Sequence, residues 1–331
     1  MASSGEGRAN YSRRFFWLAL SIVLAIAAYT GAWFYAAARL AEQVETTVAT
    51  LNEGGSRASC ENADARGYPF RIGLFCDSVM YENAGEGLAF RAGAFRSAAQ
   101  VYDPSHIIGE LDGPATVAAP GLSALEVDWS GLRASMRLAS PLFERISIEG
   151  SNITARPDRN EPDTRAFGTV ESGELHARPV GVDLDLAARF SGLALDGSLL
   201  EGRELPPLDG LLDASIVNGA ELAAANPGLR GRSGTIRNLT LSTGEDARLS
   251  IAGPVSIDQA GLVDAELQVS VRDPGEIARI LGNLVPDMRE EIEMGFSAIS
   301  AMGETPTLPM TIRKGEISLG FLSLGSIPPI D

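Results

Sequence analysis

From Val263 to Arg272 the chain alternates strictly: Val263, Ala265, Leu267, Val269 and Val271 take one parity, and Asp264, Glu266, Gln268, Ser270 and Arg272 the other. A helix would scatter these apolar side chains around its axis, whereas a strand puts them all on one side. The segment predicts a strand with one dry and one wet face. Residues 182–190 repeat the pattern, with Val182, Leu184, Leu186, Ala188 and Phe190 against Asp183, Asp185 and Arg189. Shorter versions occur at Leu125 to Trp129, Ala134 to Leu138, Ile146 to Ile148, Leu249 to Ile251 and Val255 to Ile257. One-face-wet strands belong to antiparallel sheets, not to buried parallel ones. Turn signals such as Gly253-Pro254 and Gly261, spaced by about ten residues, predict meandering hairpins.

Two helical stretches interrupt this pattern. Asp273, Pro274 and Glu276 occupy N-cap, first-turn proline and N3 positions, and Ile277, Ile280, Leu281 and Leu284 follow at helical spacing. Pro286 restarts the helix, Met288, Ile292, Phe296 and Ile299 form a second stripe, and Gly303 closes it. The reading is a C-terminal helical pair over 275–302 covering an open face or end of the sheet.

Residues Phe15 to Ala38 carry no charge. As a helix they reach about 36 Å, enough to cross a hydrocarbon core of about 30 Å. Phe15 and Trp17 mark one end, and Trp33 with Tyr35 the other, where amphipathic rings favour the membrane interface. Arg8, Arg13 and Arg14 precede the span, which places the short tail, 1–14, in the cytoplasm. The span exceeds the usual 7 to 15 apolar residues of a cleaved signal peptide, so an uncleaved anchor over 15–38 is the first expectation and a signal peptide the alternative. A juxtamembrane helix over 39–55, stopped by Gly54-Gly55, would hold a β-rich domain, 56–331, off the bilayer.

The net charge of -16 belongs to that domain, since the tail contributes mostly arginines. Such acidity removes the electrostatic term on which nucleic-acid binding depends, so no nucleic-acid partner is expected. Arginine supplies every basic residue but Lys314, a codon-level bias and no mark of a binding site. Cys60 and Cys76 are the only cysteines. A bridge between them would close a loop worth about 3 kcal/mol and needs an oxidising compartment such as the periplasm; two unrelated thiols are the alternative.

Reaction chemistry is not signalled. The two histidines, His106 and His176, lack metal-ligand spacing, and neither GxSxG, GxxxxGK[ST] nor a strand-linked GxGxxG occurs. Acidic pairs such as Glu290 with Glu291, or Asp183 with Asp185, read as solvated faces. Neither catalytic residues nor a metal or cofactor are expected, and the chain reads as a non-enzyme.

An N-terminal anchor, Cys60, the run Gly67-Tyr68-Pro69-Phe70-Arg71 leading to Cys76, and a closing Gly320 to Pro329 stretch together resemble the domain of unknown function 2125 family. These are uncharacterised single-pass envelope proteins of Gram-negative bacteria, with no catalytic residues to carry over. The strands around 233–272 resemble, more distantly, AsmA-like proteins, which are anchored in the inner membrane and build long curved sheets, some implicated in lipid transport. The resemblance implies a mainly β fold: a single transmembrane helix, a large curved antiparallel sheet and the helical pair. It also implies an inner-membrane protein, its domain in the periplasm, binding lipid or a hydrophobic segment in the curve of the sheet. The alternative is a structural or assembly partner of other envelope proteins with a closed core. Tyr68, Pro69 and Phe70 are candidates for a positional role or for plugging one end of the sheet.

Overall fold

The computed structural model describes residues 11–120, 122–140, 142–157, 165–220, 228–244, 246–301, 303, 305–319 and 322–330. The first ten residues of the tail, with Arg8, and Gly320 of the closing stretch lie outside them. Helix α1 (Tyr11–Glu53) runs unbroken through the uncharged span and the segment after it, about 65 Å at 1.5 Å per residue. It ends at Gly54-Gly55, as expected.

Among the described residues, 20 strands form one antiparallel sheet. The first ten are β1 (Arg57–Cys60), β2 (Asp64–Arg66), β3 (Arg71–Cys76), β4 (Val79–Asn83), β5 (Leu88–Ala92), β6 (Phe95–Gln100), β7 (Asp103–Leu111), β8 (Ala115–Ala119), β9 (Leu122–Asp128) and β10 (Gly131–Leu138). The next seven are β11 (Phe143–Pro157), β12 (Gly168–Val180), β13 (Asp183–Leu195), β14 (Leu208–Ile216), β15 (Ser233–Thr243), β16 (Ala247–Ile257) and β17 (Val263–Arg272). Helices α2 (Pro274–Leu284) and α3 (Arg289–Ser300) intervene before β18 (Thr307–Arg313), β19 (Glu316–Leu319) and β20 (Leu322–Ser326).

The pairing reduces to a simple meander. β1 pairs β4 while β2 pairs β3, β4 pairs β5 while β3 pairs β6, and β5 pairs β8 while β6 pairs β7. β8 then pairs β9, β7 pairs β10, and β11 pairs both β9 and β10 along its length. The first ten labels are thus five long strands, each broken near its middle. From β11 onward each strand pairs with the next.

The breaks line up across neighbours: Asn152 in β11 and Gly192 in β13 have positive φ (49° and 62°), and bulges, marked by register shifts, follow at Phe190/Leu193, Asp213/Ala214 and Ile236/Leu239. Each bulge bends its strand and increases the local twist, so a line of them curves the sheet. Gly253-Pro254, expected to be a turn, lies inside β16. Gly253 takes φ 147° where a side chain would collide with the backbone of Glu266, so glycine lets the strand bend without ending.

Register assigns the faces. Met136, Ile146, Ala177, Leu186, Ala214 and Ile236 lie opposite one another across six strands, and Ile148, Leu175, Ala188, Leu212, Leu239, Ile251, Val269 and Leu308 form a parallel row. Period-two alternation puts both rows on one side. The other side carries Ser147, His176, Ala187 and Asp213, then Thr240, Ser250, Ser270 and Thr307. Val263, Ala265, Leu267, Val269 and Val271 are all buried, and Ile312 joins them.

The helical pair caps one end of the sheet. The Asp273 carboxylate accepts from Glu276 N–H at 3.1 Å, the N-cap that the sequence indicates. α2 meets the sheet mainly at β16, while α3 packs on α2 and buries none of its own side chains. The apolar face therefore grades from buried at β17 to open at β10–β12: Ile148 is 37% exposed and Leu175 45%. Leu267→Ala should accordingly cost about 2–4 kcal/mol in chemical denaturation of the detergent-solubilised chain, and Ile148→Ala under about 1. Equal costs at the two positions would contradict this gradient.

Candidate functional site

Two features concentrate unusual geometry: a turn clamped to α1, and the open part of the apolar face. The turn is Gly67-Tyr68-Pro69-Phe70 between β2 and β3, closed by Arg71 N–H donating to Gly67 O at 2.9 Å. Gly67 has φ 119°, and a Cβ there would sit 2.8 Å from Arg71 O, so only glycine fits without displacing the turn. Trp33 Nε1 donates to Arg71 O at 2.8 Å, Tyr29 Oη donates to Pro69 O, and Thr30 Oγ1 and Tyr68 Oη share a hydrogen bond of 2.8 Å. The Tyr68 ring stands edge-on to Trp33, centroids 5.4 Å apart, and stacks on Phe34 at 5.9 Å.

This buries Trp33 to 6% exposure, whereas Phe15, Trp17 and Tyr35 remain well exposed on the helix. Arg39 lies over the Tyr35 ring, 5.4 Å from its centroid. Phe70 is 70% exposed and so plugs nothing. The segment after the span does not stand the sheet off. It lies along β1 and β2, where the Asn52 side-chain amide accepts from Ala58 N–H at 2.6 Å and donates to Ala58 O at 3.2 Å. Tyr29, Thr30 and Asn52 were not singled out from the sequence. Hydroxyls inside an otherwise apolar span were the available signal, since such groups need partners in a membrane.

Cys60 and Cys76 sit on adjacent long strands, at the line of breaks, with Cα atoms 5.3 Å apart and sulfurs placed for a disulfide. Glu61 N–H donates to Ser78 O and Asp77 N–H to Glu61 O beside them, which fixes the spacing of the two strands. The pair lies on the apolar side, on the two long strands that the clamped turn joins.

The open face has no charged side chain along the rows at β11–β14. Near its edge by the β14–β15 connection, Ile216, Leu229, Ile236, Val255 and Ile257 line a shallow cavity of about 170 Å³. Arg232, Ser215, Ser233, Thr235 and Ser256 also border it, but the surface it exposes is mainly aliphatic, which suits an apolar group better than a polar small molecule.

The opposite, polar face is organised by ion pairs. Arg237, at a bulge, reaches Asp213 Oδ1 at 2.6 Å and Asp185 Oδ1 at 3.0 Å, and Arg178 meets Asp185 at 3.3 Å. Hydrogen bonding to Arg237 holds the Asp185 carboxyl below the ordinary carboxylate range and raises the guanidinium pKa. Arg96 likewise lowers Asp112 through a 2.7 Å hydrogen bond. His176 Nδ1 lies 2.9 Å from Ser147 Oγ, with Glu174 3.7 Å from its other nitrogen. That trio sits mid-strand, where ladder bonds use the N–H groups that an oxyanion would need. No cluster of metal-ligating side chains occurs among the described residues.

Gly67→Ala should release the turn from α1, costing about 1–3 kcal/mol and opening Arg66 and Arg71 to trypsin in the detergent-solubilised chain. Gly85→Ala, where the nearest atom to a new Cβ is Asn83 Oδ1 at 3.4 Å, should leave both stability and digestion unchanged. Resistance of the Gly67 variant to trypsin would contradict the clamp.

No curated protein matches the chain. The family described as "Uncharacterized protein conserved in bacteria (DUF2125)" matches residues 33–328, from the clamped Trp33 to the closing prolines. Because that match spans the turn, both cysteines, the whole sheet and the helical pair, the chain belongs to the DUF2125 family.

Proposed function

We propose that this is a non-enzymatic protein held in the inner membrane by α1, with the chain beyond Arg39 in the periplasm, and that the curved sheet receives an acyl chain or similar extended apolar segment. The observation that carries this reading is the uncovered row at Ile148 and Leu175, on a face that is half-buried across its neighbours and fully buried only at β17. Exposed apolar surface of this kind marks an interaction site in a soluble domain. Among the described residues no large side chain is fully buried, unlike the close-packed core of a compact domain. Arg13 and Arg14 before the apolar span support the orientation.

The assembly-partner reading with a closed core has less behind it, because α2 and α3 stay at one end and leave the middle rows open. Phospholipid should co-purify with the full chain in mild detergent and appear in native mass spectra. Leu175→Glu, which sets a charge into the row, should lower bound lipid by about tenfold or more. A lipid-free wild type that crosslinks in cells to another envelope protein would replace this reading with the assembly one.

In an oxidising compartment Cys60 and Cys76 should also be paired. Alkylation of the protein under native oxidising conditions should leave both thiols unmodified until reductant is added, and ready modification beforehand would place the chain in a reducing compartment.

A further inference from the structure

The clamped turn fixes a depth as well as a contact. With Trp17 at the cytoplasmic interface, Tyr29 and Trp33 stand about 18 and 24 Å along the helix, within a core of about 30 Å. Whatever is bonded to them shares that depth. The Gly67–Phe70 turn is bonded to both, and the β6–β7 turn beside it is bonded to the first, Val101 N–H donating to Phe70 O at 3.0 Å.

Four carbonyls at the first of these turns have partners within the protein. The carbonyls of Gly67, Pro69, Phe70 and Arg71 accept from Arg71 N–H, Tyr29 Oη, Val101 N–H and Trp33 Nε1 respectively, and Pro69 has no N–H to satisfy. Paired carbonyls lower the cost of bringing a turn to the headgroup boundary, where water still reaches the remaining polar groups. The side chains projecting from the same turns are apolar or aromatic and are left uncovered: Phe70 70%, Tyr102 77%, Tyr68 46% and Val101 36% exposed. Further along the same end of the meander, the β12–β13 turn adds Val180 and Val182, 49% and 65% exposed. Turns at the opposite end carry charge, with Glu86 between β4 and β5, and Glu201 with Arg203 after β13, while at the near end charge enters only beyond β13, at Arg230, Arg232, Asp258 and Lys314.

We propose that this end of the sheet is a membrane-inserting rim: Tyr68, Phe70, Val101 and Tyr102 enter the outer leaflet beside α1, so that the apolar face opens directly onto the bilayer. The inference rests on reading α1 as the membrane anchor. It adds a second, monotopic attachment, about 5–10 Å deep, of the kind that amphipathic surfaces make with the boundary between headgroups and acyl chains. Tyrosines suit that boundary because the ring is apolar and the hydroxyl wet. The domain's net negative charge argues for insertion by apolar side chains, since anionic headgroups would repel a purely electrostatic contact.

The test uses the full chain reconstituted in vesicles of phosphatidylethanolamine and phosphatidylglycerol. An environment-sensitive fluorophore is attached in turn to Phe70→Cys, Tyr102→Cys and, at the far end of the meander, Glu86→Cys. Flotation after alkaline carbonate reports the anchor independently. Labels at 70 and 102 should emit blue-shifted and lose intensity when doxyl-labelled lipid is included, and the label at 86 should do neither. Floating protein with aqueous emission at 70 and 102 would overturn the rim and leave the anchor standing. Blue-shifted emission without quenching by doxyl lipid would overturn it in favour of a protein contact. Protein that fails to float would remove the anchor reading and the rim with it.

Discussion

An alternating strand cannot avoid having a dry side, and in this protein every long strand puts that side on the same surface. The ladder bonds hold the strands in register, and register is what gathers Ile146, Ala177, Leu186 and Ala214 into one row. A slip of one residue anywhere would exchange the rows. The rest of the molecule is arranged around disposing of that apolar surface. β17 solves the problem by burial among its neighbours, whereas β11 and β12 leave it unsolved.

Curvature follows from how the strands are interrupted. A flat sheet this wide would present its dry side evenly to solvent. Positive-φ residues at Asn152 and Gly192, the glycine inside β16 and the register shifts of β13 to β15 interrupt successive strands along a common line, and bulges of this kind bend a sheet. Cys60 and Cys76 pin the first two long strands at that same line, next to the turn that α1 holds. The helix, the cysteine pair and the bulges therefore act together: one positions an edge of the sheet, one fixes its first bend, and the others carry the bend across.

Much of this was legible in the sequence because alternation is a local signal. Val263 to Arg272 and the 182–190 run read directly as strands with a known dry face, and Asp273, Pro274 and Glu276 marked the start of α2 to the residue. Gly253-Pro254 misled, since the same pair serves a turn or continues inside a strand and only the neighbouring strands decide which. The Gly67–Arg71 run stood out as a motif, yet its partner was invisible, because Tyr29, Thr30 and Trp33 are nearly forty positions away. Nor does alternation say whether a dry face is covered: Leu175 and Leu267 have the same pattern and opposite exposure.

The edges of the sheet bear on what the open face receives. An unpaired edge would recruit a peptide strand through backbone hydrogen bonds. The first edge is occupied by α1, where the Asn52 amide takes both polar groups of Ala58 as a neighbouring strand would. The last edge stops at the short β20, followed by Pro328 and Pro329, which have no N–H, while Ile327 and Ile330 bond back to Gly315 and Gly261 across the turns. With both edges occupied or blunted, an incoming segment meets aliphatic side chains and little free backbone. A peptide laid there would strand its own N–H and C=O groups, at a cost of several kcal/mol for each one left unpaired in a dry groove. An acyl chain has no such groups, and so, on the function proposed above, the same closure that keeps the sheet from adding strands would disfavour a polypeptide on its inner face.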